Sequence, residues 1–529
     1  MLIEIIALLA TLTVAAYIYL QVKWTYWSKR GVFFLKPTFP FGSIPSFFTK
    51  SKHLNDEFYS HIEKTKPLPY YGIYFIGGAT LIINDADLAK NILVKDFDYF
   101  VDRNGDATNK LLQTKHKTDI IWTKQMTMST GEYWKNLRST FSPIFTSGKM
   151  KAMMVFIQET SDKLMQAIDA KVTANEDFEL KEMLGKYSMD TIASCAFGVD
   201  AESFSNKDSK FVQYASNIFK NTTMEAVRFL IILLPLGKSL LNFLNVPMFK
   251  VTETEFFYDA VVASLNHRRE TKTRRNDLID LMLDAIKGEV DVDEHKDDDD
   301  QFEKDAKLDH VPRKGEFDEL VIVATAIVLM VAGYDTTGTT LAYACHQLSK
   351  HPDIQERLRA EIDEVTGDSD KPIDYDKIQG MTYLDQVISE TLRFTCPIGI
   401  LQRNTTKDYK VPGHDLVIEK GHDVWINAMS IHFNPEYYPN PHEFNPDNFT
   451  KEAKGQRNSC AFLPFGQGPR GCLGMRFALL EAKMALANII RTYNLLPSEK
   501  TIEPQELDPY AGIAYVKHGL YVKAEKRSQ

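Results

Sequence analysis

The sequence predicts a mainly α-helical protein with small β-sheets, preceded by a single N-terminal transmembrane helix. Three observations carry this. No charged side chain occurs from Ile5 to Val22. Nearly everything from Ala86 to about Val387 has helical character, without strand-like alternation. Runs of β-branched and aromatic residues are confined to Tyr70–Ile83, Tyr409–Ile426 and the C-terminus, the first holding a Gly-Gly turn between two paired strands.

The apolar N-terminus ends in Trp24, Tyr26 and Trp27, interleaved with Lys23, Lys29 and Arg30, the pattern of a span meeting an interface. The basic flank follows the span, which places the bulk of the chain in the cytosol. A cleaved signal peptide fits poorly, because Glu4 stands where a basic start belongs and no small-residue cleavage site precedes Lys23. Residues 1–22 are therefore expected to be a membrane anchor and 23–45 a basic linker stiffened by Pro37, Pro40 and Pro45. Residues 46–529 are then one large domain, with no internal repeat.

The chain has 529 residues, 44% of them hydrophobic, enough to bury a large core. Its net charge of -9 is concentrated between Glu289 and Asp305, where ten acidic side chains face two basic ones. That stretch, centred on Asp297 to Asp300, reads as a solvated loop. The rest is nearly neutral, which argues against nucleic acid as a partner. Five cysteines in no C-x-x-C pair exclude a zinc ribbon, and their odd number speaks against a disulfide framework. Leu320 to Tyr334 is uncharged but too short for a second span, so it predicts a helix buried through the domain. Phe229 to Leu236 is a second apolar run, either core or a membrane-dipping segment.

The strongest chemical signal is Phe465-Gly-Gln-Gly-Pro-Arg-Gly-Cys-Leu-Gly474. Its glycines let the backbone turn tightly and approach a flat ligand, while Cys472 is presented just before a helix. The N–H groups at that helix start, with Arg470 beside them, would favour a thiolate. This loop resembles the cysteine loop of the cytochrome P-450 superfamily, Phe-x-x-Gly-x-x-x-Cys-x-Gly. The resemblance implies that superfamily's fold, with Cys472 as the axial ligand of a b-type haem, iron protoporphyrin IX. Phe465, Gly466, Gly468 and Gly474 then belong to the cofactor-binding loop.

Further motifs agree in order. Glu390-Thr-Leu-Arg393 is similar to the family's Glu-x-x-Arg structural ion pair, one helical turn apart. Ala332-Gly-Tyr-Asp-Thr336 resembles the distal-helix motif, which implies that Asp335 and Thr336 relay protons for O–O cleavage. Trp134-Lys-Asn-Leu-Arg138 resembles the Trp-x-x-x-Arg that reaches a haem propionate, with Arg470 as a second candidate. One element departs: Pro446-Asp-Asn-Phe449 places Asn448 where the family has an arginine joining Glu390 and Arg393, which puts the three-way charge network in doubt. Within the superfamily, Tyr187 to Ala193, Ala196-Phe-Gly198 and the distal motif look most like the animal xenobiotic-metabolising branch, arthropod members included.

The resemblance implies a monooxygenase that inserts one atom of O2 into a lipophilic small molecule, probing foreign compounds rather than one dedicated ligand. No nicotinamide or flavin motif is apparent, so electrons are expected from an NADPH–cytochrome reductase, with a cytochrome b-type protein as a possible second donor. Lys135, Lys149, Lys151 and Arg476 are candidate contacts. The expected location is the endoplasmic reticulum membrane, the catalytic domain facing the cytosol. The sequons at Asn221 and Asn404 should then stay unmodified. The pocket is expected to draw on the loop after Phe100, helices between Phe211 and Phe249, Ala332, Ile398 to Leu401, and Gly512 to Ala514. Three alternatives stay open: turnover or synthesis of an endogenous lipid, sterol or hormone; a haem-thiolate isomerase or dehydratase; and a non-catalytic haem or lipid-binding protein.

Overall fold

The structure is a computed structural model that describes all residues except 1, 76–77, 105–113, 207–208, 221, 223, 225–226, 229–230, 232–235, 290–300, 309–316, 368–370 and 528–529. Its organising element is the central helix Glu319–Lys350, capped by Asp318, whose carboxylate accepts from the Val321 N–H at 3.2 Å. The uncharged stretch from Leu320 lets protein surround this helix on all sides, and most of its residues are buried. It lies along the helix Leu180–Ile192. A Cβ on Gly338 would sit 3.0 Å from Gly185 Cα, so glycine on both helices permits their backbones to meet. Helices Ser147–Ala174, Thr382–Phe394 and Met475–Thr492 contribute to the same apolar core.

A smaller core lies against the main sheet. Strands β1 (Tyr70–Phe75) and β2 (Gly78–Ile83) pair antiparallel, as their aromatic and β-branched composition predicts. Gly77 of the expected turn lies outside the described residues. The remaining strands are β3 (Phe178–Glu179), β4 (Ile400–Asn404), β5 (Tyr409–Lys410), β6 (Val417–Ile418), β7 (Asp423–Asn427), β8 (Tyr493–Pro497) and β9 (Tyr521–Lys526). The main sheet runs β1-β2-β7-β4, with β2 and β7 parallel and the other pairs antiparallel. A second sheet is β3-β9-β8, and β5 pairs with β6. The strand signal from Tyr409 stops short of β4, an edge strand whose Gln402, Arg403 and Asn404 break the apolar pattern.

The N-terminal helix Leu2–Lys23 is apolar and largely exposed. Among the described residues, two helices are long and apolar enough to cross a membrane, and the second is the central helix, mostly buried by protein. Trp24 and Trp27, expected at a membrane interface, are instead buried in the sheet's core. The Trp27 indole donates to the Ile73 carbonyl at 3.0 Å and occupies space that only glycine leaves at Gly72, where a Cβ would fall 2.4 Å from the ring. Aromatic residues after an apolar span suit an interface and a core equally well by composition; here β1 offers the apolar surface first. The stiff linker expected over residues 23–45 packs against the folded body, with Val32 and Ile44 also buried.

The expected acidic loop lies largely outside the described residues, although Gln301–Ala306 at its end is helical. Most of Phe229 to Leu236 also lies outside them. Leu236 itself is exposed, as are Leu240, Phe243 and Leu244.

If the 24–45 segment is integral to the fold, Trp27→Ala should destabilise the protein by about 3–5 kcal/mol. Thermal unfolding indistinguishable from the parent would contradict its packing role.

Candidate active site

The cysteine loop closes on itself before it meets any ligand. The Cys472 N–H donates to the Phe465 carbonyl at 2.8 Å and the Gly471 N–H to the Gly468 carbonyl at 2.8 Å. Gly466 and Gly468 both have positive φ, of 70° and 73°, which favours glycine at each turn. The two differ in role. Gly466 lines the cavity described below, with only Gly471 Cα and Leu401 within 4 Å of a notional Cβ. Gly468 does not line it; its Cβ would fall 1.8 Å from the Leu93 carbonyl oxygen, so that glycine serves close packing of the loop on Leu93 rather than approach to a ligand. Phe465 and Gly474 line the cavity.

Side chains from distant elements pin the loop in place. Arg470 donates to the carbonyls of Val101 at 2.8 Å and Ser129 at 2.9 Å, and its guanidinium stacks 3.8 Å from the centre of the Trp134 ring. Arg138 donates to the Gly471 carbonyl at 2.8 Å. His432 accepts the Leu463 N–H on Nε2 at 2.9 Å, so its proton sits on Nδ1, 3.2 Å from the Arg393 carbonyl. That neutral imidazole joins the start of the loop to the helix Thr382–Phe394. Nothing near His432 in the sequence announces this contact.

Glu390 and Arg393, both fully buried, form a two-point ion pair at 2.7 and 2.8 Å. Arg393 also donates to the carbonyls of His432 at 3.0 Å and Pro441 at 2.9 Å. Asn448, in the place of the family's arginine, donates its amide to Glu390 at 3.1 Å, and the Asn445 N–H adds a bond of 2.8 Å. The missing charge is partly restored from nine residues on: Arg457 donates to the Asn448 carbonyl and stacks over Tyr438 and Phe449, within electrostatic reach of Glu390. The network therefore keeps its polar contacts with an amide where the family has a guanidinium.

Cys472 is exposed, but to a cavity of 570 Å³ rather than to the protein's outer surface. Burial by the surrounding protein pushes its thiol upward in pKa; the Gly474 N–H and then the charges of Arg138 and Arg103 pull the other way. Arg470, expected to help the thiolate, spends its hydrogen bonds on the Val101 and Ser129 carbonyls instead. Four guanidiniums line one part of this cavity: Arg103, Arg138, Arg403 and Arg470. Desolvation brings Arg138 down to about 10 and Arg403 to about 9, and it depresses Arg103 and Arg470 as well, with mutual repulsion adding to it. Arg138 Nε and Arg403 Nε are buried and have no hydrogen-bond partner. Among the described residues no aspartate or glutamate lines the cavity. The wall is thus short of negative charge, and a dicarboxylate ligand would satisfy both orphaned donors. Arg103 and Arg403 escape sequence reading; an arginine inside the apolar start of β4 is the only local hint of the second.

Ala332, Gly333, Thr336 and Thr337 from the central helix also line the cavity wall. The Thr336 hydroxyl donates to the Ala332 carbonyl at 2.7 Å, and the buried Thr337 hydroxyl has no partner. Asp335 is not on this wall. Its carboxylate pairs with Lys181 at 2.6 Å, and the same ammonium donates to the Asp335 carbonyl at 2.9 Å. The expected relay pair is therefore split across the helix, Thr336 inward and Asp335 outward. Of the expected pocket segments, Arg103, Ala332, Ile398 to Leu401 and Gly512 contribute, while the described residues between Phe211 and Phe249, Ile513 and Ala514 do not. Asn404 is buried, its amide donating to Gly421 and Asp423, and so offers no glycan acceptor; Asn221 lies outside the described residues.

A cysteine facing a largely apolar cavity, with four guanidiniums on the same cavity's wall, fits the class of haem-thiolate enzymes. A family profile described as Cytochrome P450 matches residues 36–524. Cytochrome P450 6k1 of Blattella germanica is 34% identical over 519 residues, 98% of this chain and 96% of that protein. Cytochrome P450 6B6 of Helicoverpa armigera is 34% identical, covering 98% of both chains. Cytochrome P450 6a2 of Drosophila melanogaster is 33% identical, covering 99% of this chain and 100% of its own. The chain belongs to the cytochrome P450 family and is a monooxygenase with a haem-iron cofactor.

Burial holds His432 down to about 3, below the ordinary value of about 6.5. Because the folded value is the lower one, the stability this residue confers is whole above about pH 6.5 and is lost as pH falls toward 3. Between pH 7 and pH 5 the parent should lose about 2 kcal/mol more than His432→Asn, which cannot titrate. Parallel pH profiles in chemical denaturation would show that the imidazole is not held neutral.

Proposed function

We propose that Cys472 is the axial ligand of haem b and that the enzyme inserts one atom of O2 into lipophilic small molecules, chiefly foreign compounds. The observation that carries this is the cavity itself: a cysteine on one wall and two orphaned guanidinium nitrogens, Arg138 Nε and Arg403 Nε, beside it. When bound, haem supplies the redox chemistry that activates oxygen. Arg103, Arg138, Arg403 and Arg470 would hold its propionates, with Trp134 bracing the Arg470 guanidinium.

The protein's own part is to place protons and exclude water. Thr336 presents a hydroxyl to the cavity, and Thr337 a second one that lacks a protein partner. Asp335, tied to Lys181 on the outer flank, would exchange protons with Thr336 only when that pair opens, so the ion pair acts as the gate of the relay. Apolar residues such as Val328, Leu329, Ile398 and Ile400 fill much of the remaining wall and suit lipophilic substrates.

Electrons would come from NADPH through an NADPH–cytochrome reductase, with a cytochrome b-type donor as an accessory. Lys135 and Lys151 already pair with Glu132 and Asp376 at 2.9 and 2.8 Å, which weakens them as reductase contacts. The helix Leu2–Lys23 would anchor the enzyme in the endoplasmic reticulum membrane with the catalytic domain in the cytosol.

The reduced, carbon monoxide-bound difference spectrum of the parent should show the red-shifted Soret band of a thiolate ligand, and Cys472→Ala should lack it. A band that survives the substitution would remove Cys472 as ligand. In Thr336→Val, product formed per NADPH consumed should fall by about tenfold or more while hydrogen peroxide rises. Unchanged coupling would assign the proton route to other groups.

A further inference from the structure

The chain approaches the cysteine loop from the short helix Lys451–Gln456 by way of the turn Ser459–Ala461. Side chains from elsewhere hold this approach. Tyr438, fully buried, donates its hydroxyl to the Ala461 carbonyl at 2.9 Å. The buried Phe449 ring meets Phe462 edge to face, with 4.7 Å between centres. Beyond them, the Gly466 N–H donates to the Leu463 carbonyl at 3.0 Å, and Phe465 accepts the Cys472 N–H. A shift of Ala461 and Phe462 is therefore passed along a few bonds to the backbone that presents Cys472.

Tyr438 and Phe449 are neighbours, 6.1 Å apart and inclined by 37°. One guanidinium serves both: Arg457 lies 4.4 Å from the Tyr438 centre and 5.0 Å from that of Phe449, and it donates to the Asn448 carbonyl. Its fork is flat and can lie against two rings at once, which a lysine ammonium cannot do. Lys454, 5.9 Å from Phe449, is exposed and pairs with Asp385 at 3.3 Å. Arg457 gives up hydration to sit where it does, and desolvation lowers its pKa while Tyr438 and Glu390 favour its charge. A partly desolvated cation over two aromatic faces is held more firmly than one in open water.

We propose that Arg457 is a positioning residue for Cys472, its guanidinium fixing Tyr438 and Phe449 so that these two hold Ala461 and Phe462 at the entry to the cysteine loop. Arg457 touches neither the cavity nor Cys472; it acts through the two rings. Its effect on ligation rests on the reading of Cys472 as the haem ligand, whereas its effect on the loop backbone does not.

The test follows two signals in the full-length, haem-loaded protein: the rate at which the reduced, carbon monoxide-bound form loses its red-shifted Soret band, and backbone hydrogen exchange across residues 459–474. Arg457→Gln and Tyr438→Phe should each speed loss of the band by about five- to tenfold. Because both act along one path, the double variant should fall well short of the product of the two. Exchange should rise at residues 461–466 and stay unchanged in the helix Met475–Thr492. Arg457→Lys, which keeps the charge without the flat fork, should behave like Arg457→Gln. A band as durable in Arg457→Gln as in the parent would overturn the assignment, as would a double variant equal to the full product. So would exchange that rises equally in the helix, since Arg457 would then support the fold at large, or full rescue by lysine. A parent without the thiolate band whose exchange at 461–466 still responds to Arg457→Gln would remove Cys472 as ligand and leave the bracing of the loop standing.

Discussion

Four guanidiniums gathered at one cavity, with no carboxylate among the described residues of its wall and Asp102 reaching Arg470 at 3.4 Å from behind, repel one another and give up hydration. Such an arrangement is costly unless something negative arrives, because desolvated charge without a partner is among the most expensive features a fold can carry. Much of the surrounding structure can be understood as supporting it. Arg470 is held by carbonyls from Val101 and Ser129, Arg138 by the Gly471 carbonyl, and Arg103 by the carbonyl of Arg470 itself. These bonds satisfy part of each fork while fixing the cysteine loop. The donors left over are the ones that await an anion.

The loop's other support comes from behind. Arg393 binds Glu390 and three backbone carbonyls, and His432 carries the connection on to Leu463. In such a saturated network the identity of one member matters less than whether each acceptor is filled. Asn448 fills one Glu390 oxygen with a neutral amide, and Arg457 brings a guanidinium nearby that is braced by two aromatic rings. The departure from the family's arginine therefore redistributes charge without leaving Glu390 unserved.

Local chemistry made much of this legible in the sequence. The glycine-rich cysteine loop, the uncharged central helix and the Glu390–Arg393 spacing each show themselves within about a dozen residues. Arg103, Arg403 and His432 do not, because they acquire meaning only when strands and loops from distant parts of the chain are brought together. Trp24 and Trp27 illustrate a different limit: composition alone cannot distinguish an aromatic facing a bilayer from one facing the back of β1. Asp335 illustrates a third, since adjacency to Thr336 along a helix turns the two side chains by about 100° relative to one another, enough to put one in the cavity and the other on Lys181.

The burial of Trp24 and Trp27 has a mechanical meaning. The N-terminal helix ends at Lys23 and the chain enters the folded body at the next residue, with Tyr17 against Phe39 adding a contact from the helix itself. A tether joined in this way behaves as a handle rather than a leash. Were that helix seated in a bilayer, the body would have little freedom to tumble and would keep one height and one bearing above the lipid. Anything diffusing in the same bilayer would then meet a body already turned to it, a search in two dimensions rather than three.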